Sequence, residues 1–399
     1  MIVALGACER SVGGDERLEV IDSAGVQVVR HNRLDDDGPV FLVDSLKLLG
    51  DGRGQAGLEF ASVGDLDVLH DERIAVLDGR NSRVCIFSPH GDLESCIGRE
   101  GEGPGEFNGA LTLAILPLPD GGFAVPDAGN GRLTVFSKEG EVAGTLPFPT
   151  EGSFAPEWRG WGDGRVAFRR VSASVEEIVV GSLAMNDPRI VASLPRIVHG
   201  PESGDGRWPL LADWYSWDVD PRGRVVVART SESRFTVIQS GAAARVVSWD
   251  APRTPPTPED VETLLQITAR AAGSPSGVPP ELRASMAAPP WKPPLAAVRW
   301  GPRGLVLVQT VRATGEMDAR VLSTMRSEGR GGRVWRVFRD DGSFAGSLVF
   351  DANVEIFRVR GDQILGARED PSGAIAPFRA PWPEALRAGA PESALAPES

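Results

Sequence analysis

Ile74-Ala75-Val76-Leu77-Asp78-Gly79-Arg80-Asn81-Ser82-Arg83-Val84-Cys85-Ile86-Phe87 is answered further along by Phe123-Ala124-Val125-Pro126-Asp127-Ala128-Gly129-Asn130-Gly131-Arg132-Leu133-Thr134-Val135-Phe136. A shift of 49 positions superposes Asp78 on Asp127, Asn81 on Asn130, Arg83 on Arg132, Phe87 on Phe136 and Gly91 on Gly140. Self-similarity at such a period marks a repeat architecture, in which each unit buries its apolar face against its neighbours. The duplication decides the fold; it says much less about activity.

Alternation of apolar and polar residues predicts four short strands in the first unit, at 63–69, 73–77, 83–88 and 93–97. The second unit repeats them at 111–116, 122–125, 132–138 and 141–146. Four antiparallel strands in about 40–49 residues are one blade of a propeller. Degenerate units follow at 158–195, 214–249, 296–350 and 354–378, and the last of these lacks an outermost strand. The hairpin at 18–30 is left over, and the expectation is that it completes that blade and closes the ring. The chain therefore reads as all-β, a six-bladed propeller over 17–378. Seven blades is the alternative, reached if 41–49 belongs to a separate unit. Residues 379–399 read as a disordered tail.

Pro252 to Pro294 breaks the rhythm with 11 prolines and a helix signature. Thr257 serves as N-cap, Pro258 opens the first turn and Asp260 stands three beyond the cap, with Val261, Leu264, Leu265, Thr268 and Ala271 on one face. An apolar stripe needs a surface, so the insertion is expected on the propeller rim or over the channel mouth.

Composition agrees with many short strands joined by turns: 47 Gly, 32 Pro and 41% hydrophobic residues. Lys plus Arg number 42 against 55 Asp plus Glu, a net charge of -13, whose averaged field repels nucleic acid and anionic lipid. Membrane attachment would then come through a lipid. Leu5-Gly6-Ala7-Cys8 resembles a bacterial lipobox with Cys8 as the lipidated residue, and residues 1–16 read as a truncated signal and tether. Two readings stay open: a signal peptide cut short by a late start codon, or an accidental match that leaves the protein cytoplasmic. Cys85 and Cys96 fall opposite each other in a hairpin, where a disulfide in an oxidising compartment and two buried thiols are both compatible with the spacing.

Asp-x-x-Asn-x-Arg-(apolar)-x-x-Phe, followed by a Gly turn and by Gly101-Glu102-Gly103-Pro104-Gly105-Glu106-Phe107, resembles NHL-repeat proteins and the six-bladed propeller lipoproteins of bacteria. The resemblance covers about residues 60–147 and implies an NHL- or TolB-like six-bladed fold in an exported, cell-envelope protein. It implies little about activity, because that superfold hosts enzymes, sensors and scaffolds.

The repeated Asp78/Asn81/Arg83 and Asp127/Asn130/Arg132 read as cement, since a catalytic residue is needed once and a blade-joining contact in every blade. Candidate ligand contacts are therefore sought among parts that do not repeat. Arg99, Glu102 and Glu106 surround the Gly-Pro-Gly loop, and Trp208, Trp214 and Trp217 form an aromatic cluster. The four histidines form no spaced pair, unlike the histidine-bound zinc of NHL-type amidating lyases. A lactonase-like calcium or zinc site would draw on Asp65, Asp67 and Asp218. The expectation is a monomeric, cofactor-free propeller that binds a protein or small ligand on its channel face. A metal-dependent lactonase or lyase is the alternative.

Overall fold

The computed structural model describes residues 18–32, 34, 38–52, 58–108, 114–148, 157–198, 206–210, 213–239, 241–251, 253–271, 274, 276–310, 332–369 and 374–387. Six blades of antiparallel strands surround a central channel. Blade 1 runs outward through Asp65–Val68, Ile74–Asp78, Arg83–Phe87 and Leu93–Ile97. Blade 2 repeats the order with Leu116–Pro117, Phe123–Asp127, Arg132–Phe136 and Val142–Pro147. Blades 3 and 4 begin at Trp158–Gly160 and Tyr215–Val219. Blades 5 and 6 share one long strand, Phe344–Arg360, whose first half is the outer strand of blade 5 and whose second half is the inner strand of blade 6.

The period of two in the sequence is what makes the blades stack. In blade 1, Ile74, Val76, Cys85 and Phe87 pack with Phe357 and Leu365 of blade 6. The intervening Ala75, Leu77, Val84 and Ile86 pack with Phe123 and Val125 of blade 2. Successive side chains of a strand point to opposite faces, so a sheet buried on both sides needs apolar residues in both registers. Cys85 and Cys96 are register partners and form a disulfide that ties the outer strand of blade 1 to its neighbour.

The amino-terminal hairpin does not close the ring. Its second strand, Val26–His31, lies parallel to Ala242–Trp249 on the outer edge of blade 4, and Leu18–Ser23 covers it. Val29 is fully buried there, and His31 Nε2 is 2.9 Å from the Gly342 carbonyl in a turn of blade 5. Closure comes instead from Lys47–Leu48, which pairs antiparallel with Phe378 and Arg379 and supplies the outer strand that blade 6 lacks. Val40–Val43 adds in parallel to the outer edge of blade 5. Hairpin formation is local, but the edge that receives the hairpin is chosen by burial of Val29 and His31 against distant strands.

Residues 379–387, expected to open the tail, are part of the packed fold. Ile375–Pro381 is a strand, Trp382 is 2% exposed and Leu386 belongs to the core of blades 5 and 6. Residues 1–16, with Cys8, and residues 388–399 lie outside the described residues.

The insertion folds as its signature predicts. Helix α1, Pro258–Ala271, opens with Asp260 N–H donating to Thr257 Oγ1 at 3.1 Å and Thr257 N–H donating to Asp260 Oδ2 at 2.7 Å. Leu264 and Leu265 pack on Leu210, and Trp208–Pro209 pairs in parallel with Met286–Ala287 after α2, Pro280–Ser285. The insertion thus joins the connections that enter blades 4 and 5. Lys292, 7% exposed, reaches Asp260 at 2.7 Å and pins the end of the insertion to the start of α1.

Candidate functional site: a charged channel and the cavity at the closing seam

Alternate positions on the inner strands face the channel, and there the chain places carboxylates on blades 1 and 4 and guanidinium groups on blades 3, 5 and 6. Arg358 Nη2 donates to Asp65 Oδ2 at 2.9 Å, and Arg360 grips Asp67 through Nε at 2.8 Å and Nη2 at 2.6 Å. Asp65-x-Asp67 and Arg358-x-Arg360 share one spacing, so both residues of each pair face the channel and meet in register. Across the ring, Arg159 Nε lies 3.6 Å from Asp218 Oδ1 and its guanidinium stacks 5.0 Å over Trp217.

Backbone groups complete these bonds. Asp65 Oδ2 also accepts from Ile115 N–H at 3.0 Å, and Asp218 Oδ2 from Trp300 N–H at 2.9 Å, so each carboxylate ties its blade to the next. Arg299 donates to the Ile356 carbonyl at 3.1 Å and Arg360 to the Gly160 carbonyl at 2.6 Å. Burial pushes the Asp65 carboxyl above its ordinary range against the pull of Arg358. Burial also opposes the Arg360 charge, but Asp67 outweighs it and holds the guanidinium above its ordinary value. Most of the channel charge is paired within the channel, although the buried Nε of Arg159 and of Arg358 makes no hydrogen bond among the described residues. Asp65 and Asp67 face guanidinium groups, an arrangement that repels a cation, and among the described residues no three His, Cys, Asp or Glu side chains converge for a metal.

The repeated triplets hold the connections between blades. Asp78 accepts from Asn81 at 2.7 Å, Arg83 at 3.2 Å and the Ser62 N–H at 3.1 Å, while Arg83 donates to the Glu59 carbonyl at 2.8 Å. One blade on, Asp127 accepts from Asn130 and from Asn108 N–H, and Arg132 donates to the Glu102, Gly103 and Glu106 carbonyls.

That clasp fixes the Gly-Pro-Gly loop. Glu106 accepts from Arg99 Nε at 2.7 Å and from Gly103 N–H at 2.8 Å; these bonds, the backbone one first, lower its pKa. Gly101, at φ 151°, passes so close to this carboxylate that a Cβ would collide with it. Phe107 is fully buried. Arg99 and Glu106 are thus paired with each other, and Glu102 contributes its carbonyl to Arg132. Of the aromatic cluster, Trp217 is a core residue with no exposure, Trp214 is half-buried and Trp208 is 43% exposed beside the insertion. The three thus differ in exposure, from a core residue to a surface one.

An open concavity of about 580 Å³ lies where blade 6 meets blade 1. Blade 1 contributes Val68, Glu72 and Pro89; blade 6 contributes Arg360, Asp362 and Arg379. Lys47 enters from the closing strand and Arg387 from the segment after blade 6. Arg387 lies 3.6 Å from Asp362. The sequence carries a signal for part of this site in Arg360, which alternates with the channel residue Arg358 just before a turn. Lys47 and Arg379 become neighbours only through ring closure.

Comparison with known proteins places the chain in the same class. Residues 58–114 match a family model described as a 6-bladed beta-propeller. No curated protein matches the chain in sequence. Among solved structures, a member of the duf4221 family from Bacteroides vulgatus is 10% identical with a TM-score of 0.48, over 81% of this chain and 92% of that one. A Bacteroides fragilis protein described as exported is 12% identical with a TM-score of 0.47, over 85% and 98%. A virginiamycin B lyase from Staphylococcus aureus is 11% identical with a TM-score of 0.41, over 80% of each chain. At these identities the likeness concerns fold alone. The protein is a six-bladed β-propeller.

Proposed function

We propose that this protein is a non-catalytic, extracytoplasmic binding propeller that takes a ligand in the cavity at the closing seam. The observation that carries the reading is the contrast in how charge is used. Channel carboxylates are held by Arg358, Arg360 and Arg159, whereas the seam cavity is open and two of its cations, Lys47 and Arg379, have no carboxylate partner among the described residues. A pocket of a few hundred cubic ångströms suits a small molecule. The Cys85–Cys96 disulfide supports an oxidising compartment, and the lipobox-like Leu5-Gly6-Ala7-Cys8 supports attachment through a lipid on Cys8.

The test is chemical recovery. Protein purified from its native compartment is analysed for metal and for small molecules released on denaturation. Expected are a ligand recovered unchanged after prolonged incubation and no stoichiometric calcium or zinc. Metal-dependent turnover that is lost on chelation would replace this reading with the lactonase or lyase one.

A further inference from the structure

We infer that the seam cavity binds a small organic anion, bearing a carboxylate or phosphate group, and that the bound anion fastens the ring; the inference rests on the binding reading above and names its ligand class. Lys47 and Arg379 are direct register partners across the closing pair of strands. Like charges placed opposite one another destabilise a sheet. Here they do so at the seam that joins the two ends of the propeller, where the closing strand is only Lys47–Leu48. Neither side chain has a carboxylate partner among the described residues.

The side chains share the cavity. Leu365, paired with Arg379, packs on blade 1, so Arg379 emerges on the blade 1 side of its sheet. Lys47 reaches the same side, because a side chain at Gly91 in a turn of blade 1 would touch its Cε. Arg360 projects from the end of the inner strand with 29% of its side chain exposed; Nε and Nη2 are committed to Asp67 and Gly160, and Nη1 takes no part in those bonds. Arg387 is the fourth cation, and Glu72 and Asp362 are the acids of the lining. With Arg360 paired to Asp67 and Arg387 beside Asp362, Lys47 and Arg379 stand against Glu72, which leaves this hollow a positive balance in a chain of net charge -13. The long-range field repels extended polyanions, while a small anion inside the hollow feels the local charges most strongly. Val68, Pro89 and Ala380 supply an apolar wall for its carbon skeleton.

An anion between Lys47 and Arg379 removes their repulsion and bridges the closing strand to blade 6. Occupancy is therefore linked to global stability. The experiment is thermal unfolding of the full chain with citrate or inorganic phosphate, each against sodium chloride at equal ionic strength. A saturable rise in Tm of about 4 °C is expected at a hundredfold excess over the dissociation constant. Whichever probe acts at lower concentration names the headgroup. Lys47→Gln and Arg379→Gln are each expected to lose most of that rise while their unliganded Tm stays level or climbs by about 1 °C, since the like-charge pair is gone. Calorimetric titration of wild-type protein with citrate reads binding directly should either variant fold poorly. A wild-type rise no greater than with chloride, or one retained in both variants, overturns the anion site. Either result leaves the non-catalytic reading standing, because that falls only on turnover.

Discussion

The channel and the seam cavity are built from the same residue types and treat them in opposite ways. In the channel, Arg358 and Asp65 are 3% and 4% exposed and meet at 2.9 Å. A charge so buried must be compensated, since removing one partner leaves the other without water or counterion. At the seam, Lys47 faces Arg379 at the edge of an open hollow. Water screens that repulsion enough for the fold to tolerate it, and the uncompensated charge is left for something else to meet. Pairing marks structure here; its absence in a concave place is what the proposed anion site rests on.

The largest expected effect breaks the channel side. Arg358→Met should destabilise the protein by about 3–5 kcal/mol in denaturant unfolding, because Asp65 and Asp67 lose a buried partner. Adding Asp65→Leu should recover much of that loss, and a double variant as unstable as the single would show that pairing is not the cause.

Next come the walls of the seam. Blade 1 is pinned by Cys85–Cys96, whereas blade 6 is completed by two residues. Replacing both cysteines with alanine should cost about 2–3 kcal/mol, and a reductant should lower the Tm of the wild type but not that of the variant.

Lys47→Glu reverses the sign rule of the channel. It turns a like-charge cross-strand pair into an opposite one and should raise stability by about 0.2–1 kcal/mol. A loss of stability would mean that Lys47 already has a partner and that the contrast drawn above is wrong.

The smallest effect concerns the hairpin on blade 4. Burial holds His31 below its ordinary pKa of 6.5, opposed by its bond to Gly342. The folded state therefore binds fewer protons than the unfolded one, so this contribution is present above pH 6.5 and is lost as pH falls from there through the folded value. Comparison of wild type with His31→Gln between pH 7.5 and about pH 5 isolates it: the wild type should lose more stability, and equal slopes would remove His31 as the cause.

The duplicated stretch determined most of the fold from sequence alone. Asp78/Asn81/Arg83 and their repeat announced blades and their joints, and the alternation around them placed strands that the structure keeps almost unchanged. The Thr257–Asp260 capping box was equally local, and so was the register of Cys85 on Cys96. All of these interactions join residues near each other in the chain, or repeated at one period, so a linear reading reaches them. Ring closure joins residues hundreds of positions apart. Whether 18–30 or 47–48 completes blade 6 depends on which edge buries Val29 and His31 and which accepts Leu48 beside Phe378, and no local pattern records that. The same is true of Asp67 meeting Arg360 and of Lys47 meeting Arg379. The sequence determined that there would be blades with charged inner strands; only the tertiary structure decided which charges are buried together and which are left facing one another in the open.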